Sequence, residues 1–234
     1  MTVEGTESDG GLSCKSLPEP KSFATLSLRK VSFGELRRIR YFARMAATIH
    51  QPTPSARHWT WEDLQRFDET ERYEIYDGKL IPMSPSPSFY HQELSIKLAV
   101  LISSFLQQNP IGRLAAAPMD VIFSKDNLVQ PDLLFIANEN AGIIKGRVFG
   151  APDLAVEILS PSSIQRDRYQ KLEQYARFGV KEYWIIDPAS RSIDVLTLRD
   201  GRYMLHTSAV EKGAVSSLVL SGFTLEVAQF FLSE

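Results

Sequence analysis

The segment APDLAVEILSPSS, residues 151–163, most constrains how this chain can fold. Leu154, Ala155, Val156, Ile158 and Leu159 make an apolar run of strand length, and Glu157 sits among them. An ionised carboxylate in such a run is costly unless something pairs with it. A fold that buries this strand must therefore also bring Glu157 a partner. Asp153, at the strand's start, is ordinary strand-edge polarity.

The neighbouring segments say what could surround that strand. HWTWEDLQRFDE reads as a short helix capped by Thr60, with acidic residues in its first turn. RYEIYDGKLIPMS carries Asp77-Gly78 between alternating segments, a hairpin signal. SPSFYHQELSIKLAVLISSFLQQNP is a long amphipathic helix. Leu94, Leu98, Leu101, Ile102 and Phe105 recur at helical spacing, and Asn109-Pro110 ends it. GRLAAA, MDVIFS and VQPDLLFIA follow as strands. After the Glu157 strand, SIQRDRYQKLEQYARFG is a second helix closed by Gly179. VKEYWIID is a further apolar strand ending in Asp187, a strand-end cap. RSIDVLTL and RYMLHT flank a second hairpin at Asp200-Gly201, and TLEVAQFFL is a short terminal helix. The order predicts an α/β fold: a mixed sheet flanked by helices, with β-hairpins.

Residues 1–57 read as a separate extension, expected to be poorly ordered, and residues 58–234 as the folded domain. Residues 1–44 carry eight Lys and Arg against five Asp and Glu. Part of this, Phe33 to Arg44, could form a short basic helix that touches nucleic acid, and Met45 could be an alternative start. The whole chain has a net charge of −2, so no global basic signal points to nucleic acid. A single cysteine, Cys14, excludes an internal disulfide framework and suits a reducing compartment. No apolar run approaches membrane-span length, and the first residues are unlike a signal peptide, so a cytoplasmic protein is expected.

Two expected strands each carry an acid in apolar surroundings, Asp132 in QPDLLF and Glu157 in AVEILS. Strand alternation would place Asp132 with Leu134, and Glu157 with Asp153 and Ala155, so neighbouring strands could aim both acids into one cleft. Two close carboxylates repel unless a cation or a shared proton lies between them. Oxygen ligands of this kind suit Mg²⁺ or Mn²⁺. No Cys/His cluster competes, and no Gly-rich phosphate loop is present.

Pro-Asp, then Glu on the following strand, then a helix resembles the PD-(D/E)XK nuclease superfamily. That pattern places a Lys two positions after the Glu, where this chain has Leu159. YEIYDGKLIPMSPSPSFYHQ, APMDVIF, NLVQPDLLFI, GAPDLAVEILSPSS and RDRYQKLEQYARFGVKEYWIID more closely resemble the Uma-two family of restriction endonucleases, over about residues 58–232. The resemblance implies a restriction-endonuclease-like fold and a catalytic lysine moved to the helix after the Glu strand, at Lys171. Asp167, Lys171 and Tyr175 recur on one face of that helix. It also implies roles for Glu74 and His91.

The expectation is a DNA endonuclease with Asp132 and Glu157 holding Mg²⁺ or Mn²⁺. Lys171 would stabilise transition-state charge or orient water. Glu74 would hold a second metal or its water, and His91 would contact phosphate or relay a proton. A homodimer is expected by symmetry with duplex cleavage. Leu159 supports an alternative, a nuclease-fold binding module without chemistry. A hydrolase of small phosphate esters is a third reading.

Overall fold

The computed structural model describes residues 57–67, 72–83, 87–161, 163 and 166–232. The amino-terminal extension, with its basic run and Cys14, lies outside the described residues apart from Arg57.

Thr60 caps α1 (Trp61–Leu64) in a reciprocal capping box with Asp63. β1 (Tyr73–Tyr76) and β2 (Lys79–Pro82) form the first hairpin. Its turn holds Asp77 at φ 47° and Gly78 at φ 74°. Both central residues are left-handed, the tight-turn geometry that Asp-Gly favours. A Cβ on Gly78 would also lie 2.2 Å from the His58 ring. The long helix α2 (Phe89–Gln108) starts at the Ser88 cap, whose hydroxyl accepts from His91 N. Leu94, Leu98 and Ile102 are buried along it, while Leu101 is exposed.

Next come β3 (Gly112–Ala116), β4 (Val121–Ser124), β5 (Asn127–Val129) and β6 (Leu133–Ala137). A 3₁₀ segment (Asn138–Ile143) leads to β7 (Ile144–Lys145) and β8 (Arg147–Phe149). β9 (Leu154–Ile158) carries Glu157. A π-helical turn (Arg166–Lys171) then runs into α3 (Leu172–Phe178). Gly179 ends it at φ 86°, and Val180 N donates back to Tyr175 O. β10 (Glu182–Asp187), β11 (Ser192–Arg199) and β12 (Arg202–Val210) follow, then β13 (Ala214–Ser216), β14 (Thr224–Glu226) and α4 (Val227–Phe230).

Two six-stranded sheets result, ordered β2-β1-β5-β4-β8-β7 and β12-β11-β10-β9-β6-β3, with β13-β14 as a small ribbon. The mixed α/β architecture matches the expectation, but the strands divide between two main sheets. VQPDLLFIA, expected as one strand, breaks at Gln130–Asp132, with β5 in one sheet and β6 in the other. Proline cannot donate to a strand ladder, so Pro131 suits that break. Asp132 therefore lies at the crossing between sheets, not on the Leu134 face of a strand.

β9 pairs in parallel with β10 and antiparallel with β6. Leu154, Val156 and Ile158 face the main core with Leu94, Leu98 and Ile102 of α2 and Trp184 of β10. Each fully buried Leu or Ile contributes about 1.5–3 kcal/mol, so this face dominates the docking of α2. Alternation sends Glu157 to the opposite face, beneath the π-turn and α3.

Candidate active site

Glu157 meets two donors from the helix above it. Lys171 Nζ lies 2.8 Å from Glu157 Oε1, and the Tyr175 hydroxyl donates to the same oxygen at 2.6 Å. Lys171 and Tyr175 are four residues apart, hence neighbours on one helix face. The π-turn that ends at Lys171 is wider than an α-turn, a feature frequent at functional sites. It keeps Asp167 Oδ1 3.6 Å from Lys171 Nζ.

A third acid comes from the other sheet. Glu74 of β1 is fully buried, with Oε1 3.1 Å from Lys171 Nζ. Gln130 N donates to the same oxygen at 3.0 Å, and the Tyr76 hydroxyl donates to Oε2 at 3.0 Å. Arg166 Nη1 stands 3.6 Å from Oε2. Both oxygens of Glu74 are thus engaged in holding Lys171 and the sheet junction.

Asp132 is more open, with its side chain 20% exposed. Ile158 N donates to its Oδ2 at 2.7 Å, tying the sheet crossing to the end of β9. His91, from the first turn of α2, completes this corner. Its Nε2 is 2.9 Å from Ile158 O and 3.3 Å from Asp132 Oδ2. A carbonyl oxygen only accepts, so Nε2 carries the proton. Glu74, His91, Asp132, Glu157 and Lys171 therefore converge from β1, α2, the β5–β6 crossing, β9 and the π-turn.

The electrostatics follow from burial. Three acids, Glu74, Glu157 and Asp167, surround one ammonium, and all four side chains are at most 4% exposed. Burial pushes the Glu157 carboxyl well above its usual range, and Lys171 only partly opposes this. Burial likewise raises Asp167, against Lys171 and a Ser163 hydrogen bond. Burial works against charge on Lys171, but Glu157, Glu74 and Asp167 together hold its pKa well above normal. Burial and the neighbouring carboxylates push Tyr76 and Tyr175 well above 10, so both stay neutral donors. For His91 burial lowers the pKa, yet the Asp132 hydrogen bond and charge and the Ile158 carbonyl raise it overall.

Among the described residues, no three His, Cys, Asp or Glu side chains form a group that could hold a metal ion. A less enclosed site is compatible with the acids present. Glu157 Oε1 and Asp132 Oδ2 are occupied, while no donor among the described residues reaches Glu157 Oε2 or Asp132 Oδ1. Mg²⁺ is commonly held by one or two carboxylates, with waters and substrate phosphates completing its shell. Oxygen-only carboxylate ligands suit such an ion.

Leu159, where the superfamily pattern has lysine, is buried at 5% exposure, with its N bonded to Ile186 O. Asp153 lies at the far end of β9. Its Oδ2 accepts from Ala137 N at 2.8 Å and its Oδ1 pairs with Lys181 at 2.8 Å, an anchoring role. Asp187 caps its own turn through Ala189 N and pairs with Arg168. Tyr76 and Gln130 were not singled out in the sequence. Tyr76 had a signal, since it lies two residues from Glu74 on one strand face. Gln130 acts through its backbone, which leaves no mark on residue type.

The Uma2 family model, described as "Putative restriction endonuclease", matches residues 61–228. The fold is similar to that of "a putative nuclease belonging to DUF820 from Anabaena variabilis ATCC 29413". The two are 21% identical with a TM-score of 0.60, over 74% of this chain and 97% of that one. The type IIG restriction endonuclease BpuSI matches at 14% identity and a TM-score of 0.36, over 64% of this chain and 16% of that one. Comparison with curated proteins found no match.

Proposed function

The chain belongs to the Uma2 family, and from that premise we propose that it is a divalent-metal-dependent DNA endonuclease that hydrolyses phosphodiester bonds. The observation that carries this reading is one buried lysine within 2.8–3.6 Å of acids from two sheets and its own helix, beside a half-open aspartate. A charge cluster so costly to bury is weak evidence for stability and better evidence for chemistry. Leu159 does not count against it, because Lys171 delivers an ammonium to Glu157 from the helix.

Asp132 and Glu157 would hold Mg²⁺ or Mn²⁺. When bound, such an ion supplies Lewis-acid charge for activating water and for offsetting charge that grows on the phosphoryl oxygens. The remaining work belongs to the chain. Tyr175 and Lys171 fix Glu157 through Oε1, and no donor among the described residues reaches Oε2. Glu74, held by Tyr76 and Gln130 N, keeps Lys171 aimed at Glu157. Lys171 then places a fixed positive charge where negative charge develops, in a site of low dielectric. His91 orients Asp132 and the end of β9, and its raised pKa lets it deliver a proton near neutral pH. A homodimer would suit cleavage of both strands.

Nicking of supercoiled plasmid in Mg²⁺ and in Mn²⁺, by wild type, Glu157→Ala and Lys171→Ala, tests the reading. Cleavage by wild type that both substitutions abolish is expected. Cleavage surviving Glu157→Ala would overturn the assigned site. No cleavage and no metal-dependent rise in Tm would favour a binding module without chemistry.

A further inference from the structure

Four neighbouring strands of one sheet, β1, β5, β4 and β8, place a polar residue at the same end. Arg72 precedes β1, Gln130 follows β5, Asp120 precedes β4 and Arg147 opens β8. They form a continuous row. Arg72 Nε and Nη2 both donate to Gln130 Oε1, at 3.1 and 2.5 Å. Gln130 Nε2 donates to Asp120 Oδ1 at 2.7 Å, and Arg147 Nε donates to Asp120 Oδ2 at 2.8 Å. Strand spacing makes the row roughly 14 Å long, three steps of about 4.8 Å.

The two arginines differ in what they face. Arg147 is ion-paired with Asp120, so its charge is offset. Arg72 is exposed, and among the described residues its only side-chain partner is a neutral amide oxygen. Two of its five N–H groups are used, which leaves three donors and a full positive charge facing solvent. The same Gln130 touches the catalytic cluster through its backbone. Its N–H holds Glu74 at 3.0 Å, and its carbonyl lies 3.4 Å from Lys171 Nζ. Gln130 is also two residues from Asp132. The arginine fork is thus aimed by the residue that orders the acids.

Resting on the nuclease reading above, we propose that Arg72 binds a backbone phosphate of the duplex DNA substrate, and that Gln130 is the positioning residue that aims it. Arginine suits this task because its planar fork can hold a neutral amide with one edge and a phosphate with the other. The row's end would then align the duplex beside the acids that Gln130 N–H and carbonyl adjoin.

The test is binding of a fluorescein-labelled duplex to full-length protein by anisotropy, in EDTA, across a salt series. Arg72→Gln should weaken binding about tenfold at low salt, the worth of one charge-assisted hydrogen bond. It should also flatten the slope of log K against log salt by about 0.9, the signature of one lost phosphate contact. Arg72→Lys should keep the slope and lose part of the affinity. Gln130→Leu should keep the slope and weaken binding, with the charge present but unaimed. A slope unchanged in Arg72→Gln, with wild type binding normally, overturns this inference and leaves the nuclease reading standing. Absence of duplex binding by wild type at any salt overturns this inference, and the nuclease reading is then decided by the plasmid-nicking test.

Discussion

Replacing Lys171 with Met keeps the volume of the side-chain stem and removes only the ammonium. That ammonium lies 2.8 Å from Glu157, 3.1 Å from Glu74 and 3.6 Å from Asp167. Removing one partner of a buried ion pair costs about 3–5 kcal/mol, because a desolvated charge is left behind. For a domain of this size each kcal/mol moves Tm by about 2–4 °C, so the loss is about 6–20 °C. The loss should depend on pH, and its sign follows from the acids. Burial already raises Glu157 and Asp167 above their ordinary values of 4.5 and 3.8. Without the ammonium both rise further, so the folded variant binds protons that the unfolded chain releases. Its stability must then improve as pH falls from the folded pKa values toward the unfolded ones. Thermal and urea unfolding of wild type and variant at pH 8 and pH 5.5 measure this. The deficit should be largest at pH 8, and adding Glu157→Gln to the variant should recover part of it. A deficit below about 1 kcal/mol at pH 8, or one that does not change with pH, would refute the buried-cluster argument.

Two further expectations test other parts of the structure. His91 should titrate above 6.5 by NMR, and Asp132→Asn should bring it down; the stability it contributes is complete below 6.5 and lost as pH rises through its folded value, so a normal or lowered pKa would contradict the Asp132 contact. Glu182 accepts from Trp184 Nε1, Ser217 Oγ, Leu218 N and Val219 N, at 2.6–3.1 Å, on the core-facing side of β10. Glu182→Gln should cost about 1.5–3 kcal/mol in urea unfolding while leaving plasmid nicking unchanged, and a matching loss of nicking would show that the two regions are coupled.

Some features were legible because their causes are local. Asp77-Gly78 and Asp200-Gly201 each need two left-handed residues, and the structure holds them at φ 47° and 74° and at φ 49° and 73°. The burial of Leu94, Leu98 and Ile102 follows from helical spacing, whereas Leu101, picked by the same spacing, faces solvent. Gly179 ended its helix for the same kind of reason, a backbone angle that other residues resist. Glu157 stood out because an acid within an apolar strand demands a partner, and the family resemblance implied that Lys171 supplies it.

Other features depended on contacts distant in sequence. The apolar run VQPDLLFIA looks continuous, yet β5 pairs with β1 and β4 while β6 pairs with β3 and β9. Which sheet a short strand joins depends on the summed pairing and packing along its length, and no single residue encodes that sum. The junction so formed is what brings Glu74 from one sheet to the lysine that serves Glu157 in the other. The sequence by itself determined the kinds of element, their turns and the acid that needed a cation. Only the tertiary structure decided how that cation and the surrounding acids are placed, because this depends on distances across two sheets and a helix.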